Sequence, residues 1–132
     1  MIIWWTYVRR VCYNEKGEVS LFMGGIDMYE VKQGKNCAIG ENVEFGPNVV
    51  LGHNCIIEDN VKIGAGSYID SNTIIRSGVN IQEKAFIGSN CIIGEYWMDF
   101  CMDRTKYDHP LYIGKNALIR SGSIIYAGSE MI

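Results

Sequence analysis

Two histidines, His53 and His109, are the side chains of this sequence best suited to moving a proton at neutral pH. His109 directly follows Asp108, and a neighbouring carboxylate can orient an imidazole ring or raise its basicity. This pairing predicts that His109 is a general base and that Asp108 supports it. A loop histidine with a structural hydrogen bond is the alternative for His109, and an exposed surface position is the simpler interpretation of His53.

His109 lies in a segment, residues 95–112, that is rich in side chains able to bind a small molecule. Aromatic rings can stack on the faces of sugars, and carboxylate or guanidinium groups bind hydroxyls or phosphates. A loop that folds on its own aromatic cluster is the competing interpretation. The candidate binding residues are Tyr96, Trp97, Asp99, Arg104 and Tyr107.

The elements that must position these side chains follow from a repeat of six residues. The first position of each hexad is large and apolar, the fourth is Asn or Gly apart from Lys84, and the fifth is small. Asn and Gly adopt the left-handed backbone region at low cost, so the pattern predicts a corner at each fourth position. Asn or Gly every six residues would disrupt an α-helix, and a short fixed period is typical of a solenoid. The hexads open at Ile39, Phe45, Leu51, Ile57, Ile63, Ile69, Ile75, Ile81, Ile87, Ile113, Ile119 and Ile125.

Over residues 33–131 this pattern resembles that of the hexapeptide-repeat acyltransferase superfamily. The resemblance implies an all-β fold, the left-handed parallel β-helix, in which three hexads form one triangular coil of 18 residues. Ile39, Ile57, Ile75 and Ile93 should then stack on one face of the prism.

Residues 1–32 lack the repeat, and the domain organisation predicted is an N-terminal β-hairpin over 1–32 followed by the β-helix over 33–132. Runs rich in β-branched and aromatic residues on both sides of a turn signal at 14–17 indicate the hairpin. We expect it to cap the first coil, since a terminal repeat must hide the face against which inner repeats stack. A flap that binds substrate through Trp4, Trp5 and Tyr7 is the functional alternative.

The repeat is interrupted once, between Ile93 and Ile113. These residues are twenty positions apart instead of six, so fourteen residues are inserted on one side of one coil. Long excursions from a rigid scaffold are usually functional or disordered, and the aromatic composition of this one argues against disorder. In the superfamily that the chain resembles, such loops build active sites.

The resemblance implies an acyltransferase that moves an acetyl or other short acyl group from coenzyme A to a hydroxyl or amine of a saccharide or nucleotide sugar. His109 would be the general base, and Lys115 and Arg120 would meet the phosphates of coenzyme A, although solvated corner charges are the simpler interpretation of both cations. A homotrimer with its active sites between subunits is expected. The resemblance also predicts that further coils follow Ile132 in the natural protein.

The composition of the chain limits the partners, the location and the bound groups that we expect. The net charge of −3 and the lack of a Lys/Arg cluster argue against nucleic acid as the main partner. No apolar run reaches the roughly 20 residues that span a bilayer, and the order of charges in the first ten residues is wrong for a signal peptide, so a cytoplasmic protein is expected. The five cysteines lack metal-ligand spacing and are predicted to be structural and reduced, with no bound metal.

Two other functions are compatible with such a fold. One is a non-catalytic β-helix that serves as a scaffold or assembly module. The other is a zinc enzyme of the γ-carbonic anhydrase type, which requires three histidines around Zn²⁺, whereas this sequence has two.

Overall fold

A computed structural model describes residues 10–13, 18–23, 26–106 and 110–131. The first three strands are β1 (Arg10–Tyr13), β2 (Glu18–Met23) and β3 (Ile26–Gln33). The coils contribute two- to four-residue strands with one short helix between them: β4 (Ala38–Ile39), β5 (Glu44–Phe45), β6 (Val50–Leu51), β7 (Ile56–Ile57), β8 (Lys62–Ile63), β9 (Tyr68–Ile69), β10 (Ile74–Ile75), β11 (Val79–Ile81), β12 (Phe86–Ile87), β13 (Ile92–Glu95), α1 (Met98–Met102), β14 (Leu111–Ile113), β15 (Leu118–Ile119), β16 (Ile124–Tyr126) and β17 (Glu130–Met131).

These strands form the three faces of a prism. Sheet A has the order β1-β2-β3-β6-β9-β12-β15, sheet B the order β16-β13-β10-β7-β4, and sheet C the order β17-β14-β11-β8-β5. From β4 onward each strand pairs in parallel with the strand one coil away. The predicted left-handed parallel β-helix is confirmed, and we name its edges the AB, BC and CA corners after the sheets that they join.

The predicted stacking register is also confirmed. In sheet B, Ile39 pairs with Ile57, Ile57 with Ile75, and Ile75 with Ile93. The next partner of Ile93 is Ile125, because the insertion delays the following coil. Equivalent residues of successive coils are therefore vertical neighbours.

A left-handed backbone at the fourth position of each hexad produces the corners. Asn42, Asn54 and Asn72 have φ values of 55, 56 and 61°, and the glycines at this position, such as Gly66 at 72°, behave alike. The corner N–H donates to the coil below, as Asn54 N does to the Lys35 carbonyl at 2.9 Å. The N–H groups of Asn60 and Asn72 are paired in the same way with Glu41 and His53 carbonyls, so these corners turn the chain without losing a backbone hydrogen bond.

The core is a column of first- and fifth-position side chains. Fully burying an isoleucine contributes about 1.5–3 kcal/mol, so the column provides most of the driving force for folding. The largest fully buried side chains are Phe45, Ile57, Ile63, Ile69, Ile75, Ile81, Ile87, Ile93, Leu111 and Ile113.

A line of hydrogen-bond donors runs inside the AB corner. Cys37 Sγ donates to the Gly52 carbonyl at 3.1 Å, and Cys55 Sγ to the Asp70 carbonyl at 3.2 Å. Thr73 Oγ1, in the next coil, donates to the Gly88 carbonyl at 2.9 Å. These fifth-position side chains satisfy carbonyls of the coil above, which is a more specific role than the small apolar filler expected from the sequence.

The thiols of this line are in the reduced form. Cys37, Cys55 and Cys91 are free cysteines, and Cys55 and Cys91 are fully buried. Burial raises the pKa of the Cys55 thiol from 9.0 to about 11. The thiol therefore stays protonated at neutral pH and keeps its role as a donor.

The N-terminal strands extend sheet A beyond the first coil. β1 pairs antiparallel with β2 through the register Tyr13↔Val19, and β2 pairs antiparallel with β3. β3 then joins the coils in parallel, with Lys32 opposite Val50 and Gln33 opposite Leu51. The predicted hairpin is present in β1 and β2, whereas Trp4, Trp5 and Tyr7 lie outside the described residues.

Among the described residues, no helix has the length and apolar character needed to cross a membrane.

The backbone of Lys84 generates the first prediction. This residue holds φ at 55°, where a side chain other than Asn or Gly costs about 1–2 kcal/mol. We expect Lys84→Asn to raise the free energy of unfolding by about 1 kcal/mol, measured by urea denaturation. Lys62→Asn, which removes the same charge from a strand residue, is the matched control and should bring no such gain. Equal effects of the two variants would contradict the backbone explanation.

A second prediction concerns Thr73, whose hydroxyl is fully buried and also accepts from Cys91 N at 3.4 Å. Thr73→Val keeps the shape of the side chain but leaves the Gly88 carbonyl and the Cys91 N–H without this partner. The free energy of unfolding should therefore fall by about 1–3 kcal/mol. Thr73→Cys restores the donor used by neighbouring coils and should lose less. A Val variant as stable as wild type in thermal and urea unfolding would show that the line is dispensable.

Candidate functional site

The insertion leaves the prism at the BC corner. β13 extends to Glu95, which pairs with Tyr126 after a bulge, and β14 begins at Leu111. The segment between them is therefore 96–110, narrower than the predicted 95–112, because the end residues of the predicted range lie in strands. Strands of the β-helix flank this segment on both sides, so they hold its two ends in place.

Gly94 permits the chain to leave the coil. Its φ is +87°, and a Cβ at this position would lie 2.7 Å from Val79 Cγ2 and 3.2 Å from Arg76 Cβ. Only glycine fits a left-handed backbone this close to its neighbours.

Arg76 is the cation around which the start of the insertion is arranged. Its Nη1 lies 3.2 Å from Glu58 Oε2, and its Nη2 lies 3.6 Å from Glu95 Oε1. The guanidinium carbon lies 4.3 Å from the centroid of the Tyr96 ring. All three side chains of the Glu58–Arg76–Glu95 group are at most 26% exposed, so solvent screens these contacts less than it would on an open surface.

The aromatic residues of the insertion form a cluster on this cation. Tyr96 stacks on Phe100 with a centroid distance of 4.2 Å. Arg76 and Phe100 therefore both lie against the Tyr96 ring. Trp97 is fixed differently: its indole N–H donates to the Ala127 carbonyl of the last coil. The interpretation of a loop folded on its own aromatic cluster therefore describes the first half of the segment.

The short helix α1 and a following turn complete the described part of the insertion. Asp99 Oδ1 accepts from Phe100 N at 2.8 Å. Asp103 Oδ1 accepts from the Thr105 hydroxyl at 2.8 Å and from Thr105 N at 3.1 Å. These hydrogen bonds, the hydroxyl first, lower the pKa of the Asp103 carboxyl.

The outer surface of the insertion is apolar as well as polar. Met98 is 73% exposed, Met102 is 81% exposed and Trp97 is 45% exposed. Arg104 is exposed on the turn that follows α1. This surface could contact a small molecule or another chain.

The structure describes some of the predicted site residues and not others. Tyr96, Trp97 and Asp99 lie together at the start of the insertion, and Arg104 lies on its exposed turn. Tyr107, Asp108 and His109 lie outside the described residues, so the general base stays a prediction from the sequence.

Lys115 and Arg120 are exposed, but they occupy different edges of the prism. Lys115 lies at the CA corner before β15, and Arg120 lies at the AB corner after it. One copy of the chain therefore does not bring these two cations to the same corner.

His53 has a structural role that the sequence pattern did not reveal. Its Nδ1 accepts from Lys35 N at 2.8 Å, which places the ring proton on Nε2. Ser71 Oγ accepts from His53 N at 2.9 Å in the same way, and Asp59 Oδ1 accepts from Glu41 N at 2.7 Å at the BC corner. The third position of the hexad thus supplies acceptors to the coil below, and a polar residue at that position is the signal that could have indicated it.

An open groove of about 470 Å³ follows the CA corner and the adjoining edge of sheet C over three coils. Small or compact third-position residues leave this space, and apolar atoms form most of its wall. Sequence reasoning missed the groove, although Pro47 and Ala65 at the third position were the available signal. It is lined by Glu44, Phe45, Gly46, Pro47, Lys62, Ile63, Gly64, Ala65, Asn80, Ile81, Gln82 and Glu83.

Within residues 10–13, 18–23, 26–106 and 110–131, no three His, Cys, Asp or Glu side chains are placed so that they could hold one metal ion.

The repeat also matches known proteins. The family model described as bacterial transferase hexapeptide (six repeats) matches residues 36–71, which form the first two coils. No curated protein matches the chain. Among solved structures, WeeI from Acinetobacter baumannii AYE is similar with 18% identity and a TM-score of 0.27. That match covers 76% of this chain and 49% of the other, so the chain spans about half the length of that structure.

The contacts of Arg76 predict how the insertion responds to mutation. Arg76→Ala removes both ion pairs and the cation on Tyr96, so trypsin should cleave after Arg104 and Lys106 severalfold faster than in wild type. Arg76→Lys keeps the charge without the planar group and should be intermediate. Lys62→Ala, which breaks a longer pair of 3.9 Å on sheet C whose lysine is 58% exposed, is the control and should leave cleavage unchanged. Unchanged cleavage in Arg76→Ala would show that Arg76 does not hold the insertion.

Proposed function

We propose that the chain is an acyltransferase of the hexapeptide-repeat superfamily and that it transfers an acetyl or other short acyl group from coenzyme A to a saccharide or nucleotide sugar. The acceptor group is a hydroxyl or an amine. The observation that carries the proposal is the match to the transferase repeat, on a β-helix whose long insertion projects from one corner.

The reaction requires a base near the acceptor. In the proposed step, His109 takes the proton from the acceptor hydroxyl or amine as that group attacks the thioester carbonyl. The new C–O or C–N bond forms, the C–S bond breaks, and the thiolate of coenzyme A leaves and is then protonated. Asp108 would hold the His109 ring and stabilise the imidazolium.

The proposed acceptor site is the insertion. Arg76 and Phe100 both lie against the ring of Tyr96, so the hydroxyl of this residue is the part proposed to contact a sugar. The exposed surface of Trp97 can stack on a sugar ring. Asp99, Arg104 and Tyr107 are the proposed polar contacts, with Arg104 suited to a phosphate or carboxylate.

The proposed donor site is the groove at the CA corner. Its apolar wall, which includes Phe45 and Pro47, suits an extended acyl-thioester arm. Lys115 lies at the same corner one coil above Glu83, where it could meet a phosphate of coenzyme A. Arg120 lies at the AB corner, on the other side of sheet A from this groove, so it would contact a coenzyme A phosphate only if the cofactor extended across that sheet.

A homotrimer is part of the proposal. The insertion lies at the BC corner and the groove at the CA corner, so the whole of sheet C separates them in one copy. Assembly would bring the insertion of one subunit to the groove of another. We also propose a cytoplasmic location, which suits the free thiols of Cys55 and Cys91.

The scaffold function is the second candidate. It is favoured by the same contacts that hold the insertion to the prism, since Tyr96 and Trp97 both serve packing. A γ-carbonic anhydrase is disfavoured because the sequence has only two histidines and His53 is engaged with Lys35 N.

The test is transfer of labelled acetyl from acetyl-CoA to a panel of amino sugars and nucleotide sugars, together with thermal unfolding with and without acetyl-CoA. His109→Asn should lower kcat by about 10²–10⁴-fold, because that is the usual contribution of a general base, while stabilisation by acetyl-CoA persists. His53→Asn is the matched control and should retain transfer.

Transfer at the wild-type rate in His109→Asn would reject the assigned base. Absence of both stabilisation by acetyl-CoA and transfer in the wild-type chain would favour the scaffold.

A further inference from the structure

Two cysteines occupy equivalent positions in the first two coils. Cys37 and Cys55 directly precede Ala38 and Ile56, which are partners in sheet B. The two cysteines are therefore vertical neighbours inside the AB corner, and the strand spacing places their Cα atoms about 4.8 Å apart. Disulfides join cysteines whose Cα atoms are about 4.4–6.8 Å apart, so this pair is within reach of a bond.

Both thiols point along the stack of coils. Cys37 Sγ donates to the Gly52 carbonyl, which lies in the coil of Cys55, and Cys55 Sγ donates to the Asp70 carbonyl one coil further up. The Cys37 sulfur is thus directed toward the coil that holds its neighbour. Burial is the main reason why the pKa of the Cys55 thiol rises to about 11, and the nearby Cys37 side chain adds to the rise.

The other cysteines whose side chains the structure describes lack a stacked thiol. Cys91 lies between Thr73, whose hydroxyl accepts from Cys91 N, and Ser123 of the next coil. Cys101 lies in α1, at a different corner of the prism. Among the described side chains, Cys37 and Cys55 are therefore the one pair of thiols in successive coils of the same column.

The two thiols differ in their access to solvent. Cys55 is fully buried, whereas Cys37, in the first coil, is half-buried. A thiol must be exposed and deprotonated to react with a reagent in solution. Cys37 is therefore the thiol that such a reagent meets, and Cys55 can react only with a sulfur that is already beside it.

From these observations we propose that Cys37 and Cys55 are a redox modification site, which a low-molecular-weight disulfide such as oxidised glutathione converts reversibly into a disulfide between the first two coils. In the first step the Cys37 thiolate attacks the reagent, a mixed disulfide forms, and one glutathione thiolate leaves. The Cys55 sulfur then attacks Cys37 Sγ, and the second glutathione thiolate leaves. Each departing thiolate takes up a proton released by one cysteine. Two protein thiols are thus oxidised, and one glutathione disulfide is reduced to two thiols.

The contacts of the two thiols explain why the bond is reversible. Its formation withdraws the donors that the Gly52 and Asp70 carbonyls have in the reduced protein. It also draws the Cβ atoms to about 3.8 Å, which is closer than stacked strands hold them. Strained disulfides are reduced more easily than relaxed ones, so the thiol form returns when the surroundings become reducing. While it lasts, the bond ties the first coil, which continues from β3, to the second.

The test treats the folded chain with oxidised glutathione, blocks the remaining thiols with an alkylating reagent, and digests the protein with trypsin for mass spectrometry. Trypsin cleaves after Lys35 and Lys62 and at no residue between them, so both cysteines of the pair, and none of the other three, lie on the peptide 36–62. This peptide should be lighter by two hydrogen atoms than its thiol form and should carry no alkyl group. Dithiothreitol should restore both thiols, and thermal unfolding should show that the oxidised protein is folded.

Serine variants test the role of each thiol, because a hydroxyl keeps the donor, as Thr73 does in the same column. Cys55→Ser should accumulate glutathione on Cys37, since no second thiol displaces it. Cys37→Ser should leave Cys55 unmodified in the folded protein, and the matched control Cys91→Ser should form the disulfide as wild type does.

Three results would overturn the proposal. They are a wild-type peptide 36–62 that keeps both thiols, one that keeps glutathione on Cys37 without closing the bond, and a bond that forms only after urea has unfolded the chain. Reaction of Cys55 in folded Cys37→Ser would overturn the assigned order of attack. None of these measurements depends on acyl transfer, so the result stands apart from the proposed function.

Discussion

A left-handed backbone at every fourth position is the constraint on which this structure depends. Asn and Gly adopt it at low cost, and each such residue turns the chain by one corner. Because the corners recur at a fixed interval, each residue of the coils before the insertion lies directly above the residue eighteen positions earlier, as Ile75 lies above Ile57. The buried column and the internal donors at Cys55 and Thr73 are consequences of that stacking.

The same stacking creates a rigid platform for the insertion. Glu58 and Arg76 occupy equivalent positions of successive coils, so their side chains meet without any local sequence signal. Gly94, at that position one coil further, opens the space through which the chain departs. A charged pair in the scaffold therefore becomes the support for an aromatic cluster that begins with Tyr96. The site is positioned by contacts whose partners are far apart in sequence.

The fold could be predicted from the sequence because its determinants are local and periodic. The corners at Asn42 and Asn54, and the register of Ile39 with Ile57, follow from a six-residue pattern that is visible without coordinates. The support of the insertion could not be predicted, since the second position, which Arg76 occupies, holds residues of many types. The role of His109 stays a prediction from sequence, because this residue lies outside the described residues.

Vertical register also limits how such a molecule can change in length during evolution. A deletion or duplication of one or two residues within a coil would move every later side chain from the core to the surface or onto a corner, whereas a change of eighteen residues would leave each column intact. Extra residues are tolerated where they bulge out between two sheets, as they do after Gly94. New chemistry in this architecture is therefore expected to arise at the corners, while whole turns are gained or lost as units.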